Sequence, residues 1–201
     1  MKTTRLEAFS DGVIAILITI MVLELRTPAG HDWAALMTLG SRFCPYVLSF
    51  VILGIYWNNH HHMVYMAERV SGAVLWANLH LLFWLSLIPF GTAWIGEAWP
   101  APVPAATYGA VLMLAGTAYY ILKTTIIRAH GPGSDLKAAL GSDVKGIVSV
   151  VMYAAAIPLA FVHAWVSAAI YVVVALGWLV PDPRIERHLR RHDRANRAAP
   201  R

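Results

Sequence analysis

The sequence predicts an all-α membrane protein with six transmembrane helices in each chain, on the basis of its composition, its apolar runs and its charge distribution. Of the 201 residues, 58% are hydrophobic and only 13% are charged, whereas soluble domains have about 25% charged residues. The apolar residues form six runs, most of them long enough to cross a hydrocarbon core of roughly 30 Å. Lysine and arginine collect between these runs and at the chain ends, as expected at membrane surfaces.

The six runs cover residues 5–26, 38–66, 72–98, 105–127, 145–164 and 166–181. Turn-forming segments separate several of them: Thr27–Gly30 ends the first run, Trp99–Pro104 precedes the fourth, and Gly131–Ser134 precedes the fifth. Pro89 and Pro158 lie inside the third and fifth runs. They predict kinks there, because proline removes a hydrogen bond from the helix.

The charge asymmetry predicts that both ends of the chain face the cytoplasm. Every lysine and arginine except Arg26 and Arg42 lies in the N-terminal segment, in the second-to-third or fourth-to-fifth connection, or in the tail. Segments rich in these residues stay inside. The opening motif has no second copy, so residues 1–181 are predicted to form one six-helix domain, followed by a basic cytoplasmic tail over 182–201. We expect this tail to be solvated or to contact lipid headgroups, and not to bind nucleic acid.

The residue types disfavour several kinds of site. The lone cysteine, Cys44, cannot form an intramolecular disulfide or a cysteine metal cluster. His60, His61 and His62 are consecutive, and neighbouring side chains on a helix point about 100° apart, so the three cannot converge on one ion. The chain has no nucleophile motif, phosphate loop or paired carboxylate. We therefore expect no enzyme activity, no metal and no cofactor.

A carboxylate, Asp11, lies within the first apolar run. A helix capped by Ser10 or Asp11 and ending at Leu23 would be only about 18 Å long, which is too short to span the membrane. If the helix begins near Thr4 instead, Asp11 lies roughly 10 Å inside it, where an ionisable group needs a partner in the protein interior. We therefore predict a buried hydrogen-bond network centred on Asp11.

The predicted orientation supplies partners for this carboxylate, because the second helix ends and the third begins on the cytoplasmic side. The polar residues at that depth are Arg5, Ser10, Asn58, Asn59, His60, His61, His62, Asn78 and His80. Arg5 is six residues from Asp11 and only loosely on its face, which favours a bridge through a histidine over a direct pair.

The first helix also has two neighbouring stripes. One contains Asp11, Ala15, Ile18 and Val22, and the next contains Gly12, Ile16, Thr19 and Leu23, with Ile20 beside it. We expect the first stripe to anchor the helix. The second stripe is then left to face something else, and ordinary packing against lipid or other helices is one alternative.

The opening segment, Arg-Leu-Glu-Ala-Phe-Ser-Asp-Gly from Arg5, resembles the Arg-x-x-x-Phe-Ser-Asp signature of the transmembrane protein 175 family, best known for the lysosomal potassium channel of animals. Trp-Asn-Asn-His-His from Trp57, Asn-Leu-His-Leu-Leu-Phe from Asn78, and Pro89 with Phe90 look like segments of its second and third helices. The resemblance covers the first half of the chain in specific motifs and the whole chain in its six-helix plan.

This resemblance implies a potassium-preferring cation channel without the usual filter loop, in the bacterial inner membrane. Bacterial members with one repeat look like homotetramers, so four chains would surround one pore. The family's constriction maps onto Ile16, Ile20 and Leu23, and its threonine layer, the ion-selectivity layer, onto Thr19. Its structural hydrogen-bond network maps onto Arg5, Ser10, Asp11, His61 and Asn78.

Two other classes stay open on the residues alone. A proton- or ion-coupled carrier would use Asp11 and the histidines as a relay. A non-conducting membrane scaffold would use the same network only for packing. The lack of internal inverted repeats weighs against the carrier.

Overall fold

The computed structural model describes residues 3–67, 70–130 and 144–179, which form an all-helical fold. Its helices are α1 Thr3–Leu23, α2 Trp33–Met37, α3 Gly40–Tyr65, α4 Gly72–Ser86, α5 Ile88–Ala98, α6 Pro102–His130, α7 Val144–Val162 and α8 Ala164–Leu179. The all-α prediction is confirmed for this part of the chain. The tail predicted over 182–201 lies outside the described residues.

Four helical segments of the described chain are long and apolar enough to cross a membrane. They are Thr3–Leu23, Gly72–Ala98, Pro102–His130 and Val144–Val162. The apolar helix α8 is shorter, and α3 carries Arg42 near its start and the polar run from Asn58 to His62 near its end. Those polar ends lower the hydropathy of α3, although its middle is apolar.

The third apolar run is not one straight helix. It divides into α4 and α5 at Leu87, and Pro89 lies in the first turn of α5, where a missing N–H costs no helical hydrogen bond. Pro158, in contrast, lies inside α7, which continues past it to Val162. The short helix α2 was not predicted; the side chain of Asp32 caps it by accepting a hydrogen bond from the N–H of Ala35 at 2.8 Å.

The centre of the bundle is α6, which packs against α4, α5, α7 and α8. Small buried residues, including Ala105, Ala115 and Ala118, let neighbouring helices come close to it. Gly109 is required here because the hydroxyl of Tyr171 occupies the space that a Cβ would need. That hydroxyl donates to the carbonyl of Ala105 at 2.9 Å. In contrast to α6, α1 packs mainly on α3 and less on α4 and α5, so that much of its surface stays uncovered.

Candidate functional site

One face of α1 is buried in the bundle. Its buried residues are Leu6, Ser10, Ile14, Leu17 and Met21, which recur every three or four positions as one helical stripe. Our prediction placed the anchoring stripe about 100° away, on Asp11, Ala15, Ile18 and Val22. The structure corrects this: Asp11 and Ile18 are only partly buried, and Ala15 and Val22 are exposed.

The opposite face of α1 is an exposed apolar stripe. Ile16 is 58% exposed, Ile20 41% and Leu23 78%. Gly12 and Thr19 lie on the same side and are also exposed. The Thr19 hydroxyl is positioned by the carbonyls of Ala15 and Ile16, which lie 3.1 and 2.9 Å from it. Within the described chain, the residues predicted for the constriction and for the selectivity layer thus share one uncovered surface.

A buried hydrogen-bond chain joins α1, α3 and α4 in the predicted cytoplasmic half of the bundle. Ser10 Oγ donates to the carbonyl of Leu6 at 2.9 Å and accepts from Asn78 Nδ2 at 3.0 Å. Asn78 Oδ1 then lies 2.7 Å from His60 Nε2. Because that amide oxygen can only accept, Nε2 of His60 is the donor. Ser10, His60 and Asn78 are each fully buried.

The histidine in this chain is His60 and not the expected His61. Adjacent residues point about 100° apart on a helix, so His61 cannot also reach Asn78. It lies instead with Nδ1 2.8 Å from Glu7 Oε1. No separate role was predicted for Glu7, although its position four residues before Asp11 places both carboxylates on one side of α1.

Asp11 is not the centre of the buried chain. Its Oδ1 accepts a hydrogen bond from the indole Nε1 of Trp57 at 3.0 Å, at a more exposed edge of the α1–α3 contact. Ser10 and Asp11 are adjacent on α1, so their side chains point about 100° apart. When Ser10 faces the interior, Asp11 therefore faces the edge of the contact. Arg5 is exposed and forms no hydrogen bond or ion pair within the part of the chain that the structure describes.

Two side-chain contacts, one helical turn apart, therefore connect the antiparallel helices α1 and α3 at this edge. Glu7 faces His61, and one turn further along α1, Asp11 faces Trp57, which is one turn earlier on α3. The rings of Trp57, His61 and Tyr65 stack along α3, with centroid separations of 6.2 and 6.3 Å. Trp57 was not predicted as a member of the network, although its place in the motif before Asn58 put it at the right depth.

A second polar cluster supports the other end of α1. Ser49 Oγ lies 2.6 Å from Thr92 Oγ1 and 2.7 Å from the hydroxyl of Tyr108, which joins α3, α5 and α6. Met21 of α1 packs over it, with its sulfur 3.9 Å from Thr92 Oγ1. Residues 3–67, 70–130 and 144–179 contain no group of three histidine, cysteine or acidic side chains arranged to hold a metal.

Comparison with known proteins supports the resemblance seen in the motifs. The family model described as "Endosomal/lysosomal potassium channel TMEM175" matches residues 5–89, which include α1, α3 and α4. A protein of Chryseobacterium sp. (strain P1-3) named as a potassium channel is 50% identical over 190 residues, covering 94% of this chain and 99% of the relative. One of Streptomyces collinus with the same description is 32% identical over 199 residues, covering 92% and 97%.

A solved structure has a similar fold. It is the crystal structure of a lysosomal potassium-selective channel TMEM175 homolog from Chamaesiphon minutus, with a TM-score of 0.77 and 27% sequence identity. The match covers 89% of this chain and 96% of that one. With 50% identity over 190 aligned residues to a bacterial relative covered almost to its whole length, and with the family's opening motif on α1, this chain belongs to the TMEM175 family.

Proposed function

We propose that this chain is a potassium-preferring cation channel of the bacterial inner membrane, in which four copies place their α1 helices around one pore. The observation that carries the proposal is the two-faced character of α1. One stripe is buried and hydrogen-bonded to the bundle, and the opposite stripe presents Ile16, Ile20 and Leu23 with no cover from the described chain. Bacterial relatives of nearly the same length are named as potassium channels, which supports the same activity here.

The exposed stripe has the chemistry of a hydrophobic gate. From Ile16 to Leu23 the helix rises about 10 Å, so four copies would stack rings of aliphatic side chains along a short constriction. Such a constriction closes by expelling water. Along α1, Thr19 lies between Ile16 and Ile20, and because its proton is directed at the backbone carbonyls of α1, its free lone pairs can face a cation.

The contacts of α1 with α3 and α4 would hold this stripe towards the axis. Ser10, Asn78 and His60 fix the rotation of α1 through buried hydrogen bonds, and Asp11 and Glu7 add two contacts at the edge. Interhelical hydrogen bonds in membranes contribute about 0.6–2 kcal/mol each. Several together would oppose rotation of α1 about its own axis. In this role the network is structural, and no residue acts as a catalyst or metal ligand.

The proposed architecture has six spans, formed by α1, α3, the α4–α5 pair, α6, α7 and α8, with both termini in the cytoplasm. The helix α3 fits this plan because its polar ends would lie at the two membrane surfaces. The 16 residues of α8 extend about 24 Å, somewhat less than the hydrocarbon core.

The experiment is ion flux in liposomes containing the purified protein. Vesicles loaded with potassium or sodium chloride are diluted into the chloride salt of a large impermeant cation, and a protonophore and a pH-sensitive dye report proton uptake that balances cation efflux. We expect larger uptake with potassium than with sodium. Ile16→Phe, which fills the constriction, should reduce it at least several-fold, whereas Ile147→Phe, at an exposed site on α7, should not.

Three outcomes would contradict the proposal. Flux that saturates and requires a proton gradient would indicate a carrier. Intact oligomers without potassium flux would indicate a scaffold. Equal effects of the two phenylalanine substitutions would remove Ile16 from the pore.

A further inference from the structure

The exposed face of α4 carries one histidine in an otherwise apolar surface. His80 is exposed, and its neighbours on this face, Trp76, Leu79 and Phe83, are apolar and also exposed. His80 lies eight residues after the first residue of α4, about 12 Å into the proposed span. Lipid at that depth offers the imidazole no hydrogen bond, and polar side chains within spans almost always face protein or water. We therefore expect this face of α4 to contact protein.

The ring of His80 has one donor to spare. Its Nε2 accepts a hydrogen bond from the indole Nε1 of Trp84 at 2.9 Å, so the ring proton is on Nδ1. This Nδ1–H makes no hydrogen bond within residues 3–67, 70–130 and 144–179. Because Trp84 is one turn further along α4, it also orients the ring. The surface thus presents one oriented N–H donor.

An acceptor without a second partner lies on another side of the same chain. Asp11 Oδ1 is held by Trp57, which positions the carboxylate, whereas Oδ2 makes no hydrogen bond or ion pair with any described residue. Exposed aromatic side chains of α3, those of Phe50, Trp57 and Tyr65, lie on the neighbouring surface. A carboxylate within a membrane span needs a partner for the same reason as an imidazole.

Helix geometry places this donor and this acceptor at one level but facing apart. Ser10 and Asn78 are hydrogen-bonded and so share a level, and α1 and α4 both run from the proposed cytoplasmic side. From that level, Asp11 is one residue further along, about 1.5 Å, and His80 is two residues further, about 3 Å. His80 is also about 200° around α4 from Asn78, so it points away from α1 of its own chain.

A ring of copies brings the two groups together. Within one chain, α1 contacts α3 through Asp11 and α4 through Ser10, so α3 and α4 flank it. Rotation about an axis parallel to the helices keeps each residue at its level and turns the α4 side of one chain towards the α3 side of the next, in a head-to-tail contact that closes into a ring. We propose that Nδ1 of His80 donates to Oδ2 of Asp11 in the neighbouring chain. This contact rests on the proposed pore assembly and connects its copies.

The first test is thiol cross-linking in membranes, in a Cys44→Ser background that removes the lone cysteine. Asp11→Cys and His80→Cys are combined and treated with a methanethiosulfonate reagent whose two reactive groups are two carbons apart. One cysteine per chain can link only two chains, whereas the double variant should give bands of three and four chains. The control combines Asp11→Cys with Val151→Cys and should stop at two, since Val151 is exposed at a similar level but on α7.

A second test keeps Asp11 in place, in case the cysteine variants do not assemble. His80→Leu removes the donor, whereas His80→Asn provides an amide N–H near the position of Nδ1. Light scattering over a dilution series in detergent should show roughly tenfold weaker association for His80→Leu, as expected for the loss of a hydrogen bond to a charged group. His80→Asn should retain most of the association. In an Asp11→Ala background, His80→Leu should have little further effect.

Four results would overturn this contact: a double-cysteine variant that links no more chains than the control, wild-type association of His80→Leu, equal losses in His80→Asn and His80→Leu, or additive losses with Asp11→Ala. Neither test uses ion flux. Four-chain bands in a protein without potassium flux would support the contact and contradict the channel. Four-chain oligomers whose double-cysteine variant stops at two linked chains would contradict the contact and leave the proposed pore standing.

Discussion

The side-chain amide of Asn78 donates a hydrogen bond of 3.0 Å to the hydroxyl of Ser10 and so connects α4 to α1 across 68 positions of sequence. The same amide accepts from His60 through its oxygen. One asparagine therefore satisfies polar groups on two other helices, within a region where all three side chains are excluded from solvent and lipid. Its removal leaves the buried Nε2–H of His60 unpaired and takes one donor from Ser10, whose hydroxyl still bonds to the carbonyl of Leu6; an unpaired buried group costs more than the loss of one contact.

We expect Asn78→Ala to destabilise the protein by about 1–3 kcal/mol, because the buried Nε2–H of His60 loses its partner and Ser10 loses the hydrogen bond from the amide. The measurement is the midpoint of thermal unfolding in detergent, together with the oligomeric mass from light scattering. The matched control is Asn58→Ala, since Asn58 is an exposed asparagine on α3. Equal midpoints for the two variants would show that the buried chain contributes nothing to stability.

We expect Ile16→Asn to raise conductance or relax selectivity, because an amide in the proposed constriction would favour water where an isoleucine would expel it. Single-channel recording in planar bilayers measures both quantities. Ile147→Asn is the control, because Ile147 is 53% exposed, close to the 58% of Ile16, but lies on α7. Unchanged currents in Ile16→Asn would exclude Ile16 from the conduction path.

The hydroxyl of Thr19 is tested with an isosteric change. Thr19→Val keeps the branched shape but removes the oxygen, so the permeability ratio of potassium to sodium should fall if that oxygen coordinates ions. Thr19→Ser retains the hydroxyl and should retain most of the ratio. Reversal potentials under bi-ionic conditions measure it. A full ratio in Thr19→Val would assign selectivity to other atoms.

The contact between Asp11 and Trp57 can be tested by comparing two single variants with the double variant. Asp11→Ala should impair assembly or current, and Trp57→Phe should reproduce the effect because it removes the same 3.0 Å hydrogen bond. In the double variant, the second substitution should add little, since interacting residues are not additive. The fraction of intact oligomer and the ion flux per oligomer are the two measurements. Additive losses would mean that the two residues act separately.

The sequence was sufficient to predict which segments are helical, because each apolar run is long and is bounded by turn residues. Pro89 also indicated that the third run is not straight, and α5 begins beside it. The five-residue helix α2 was missed because it has no long apolar run. Its only local signal was Asp32, three residues before Ala35, in the spacing of an N-terminal cap.

For the site, the sequence predicted the level of each residue along its helix better than the side of the helix to which its side chain points. Ser10, Asn78 and the histidine run were correctly placed at one level, because depth follows from counting residues along each helix. The choice of His60 over His61, and of Trp57 as the partner of Asp11, depends on how α3 is rotated towards α1. That rotation is set by packing of the whole bundle, and a rotation of one residue, about 100°, exchanges every partner.

Because the helix breaks at Leu87, α1 contacts two separate helical segments, α4 and α5. Asn78 of α4 contacts the N-terminal half of α1, and Met21 near the C-terminal end of α1 packs beside Thr92 of α5. The segments α4 and α5 meet at a bend beside Pro89 and do not form one continuous helix. The two ends of α1 are therefore not held by the same rigid helix. Strain applied at the C-terminal end of α1 therefore has no straight helical path along α4 and α5 to the hydrogen bonds of Ser10 and Asn78, so the two ends of α1 can move independently.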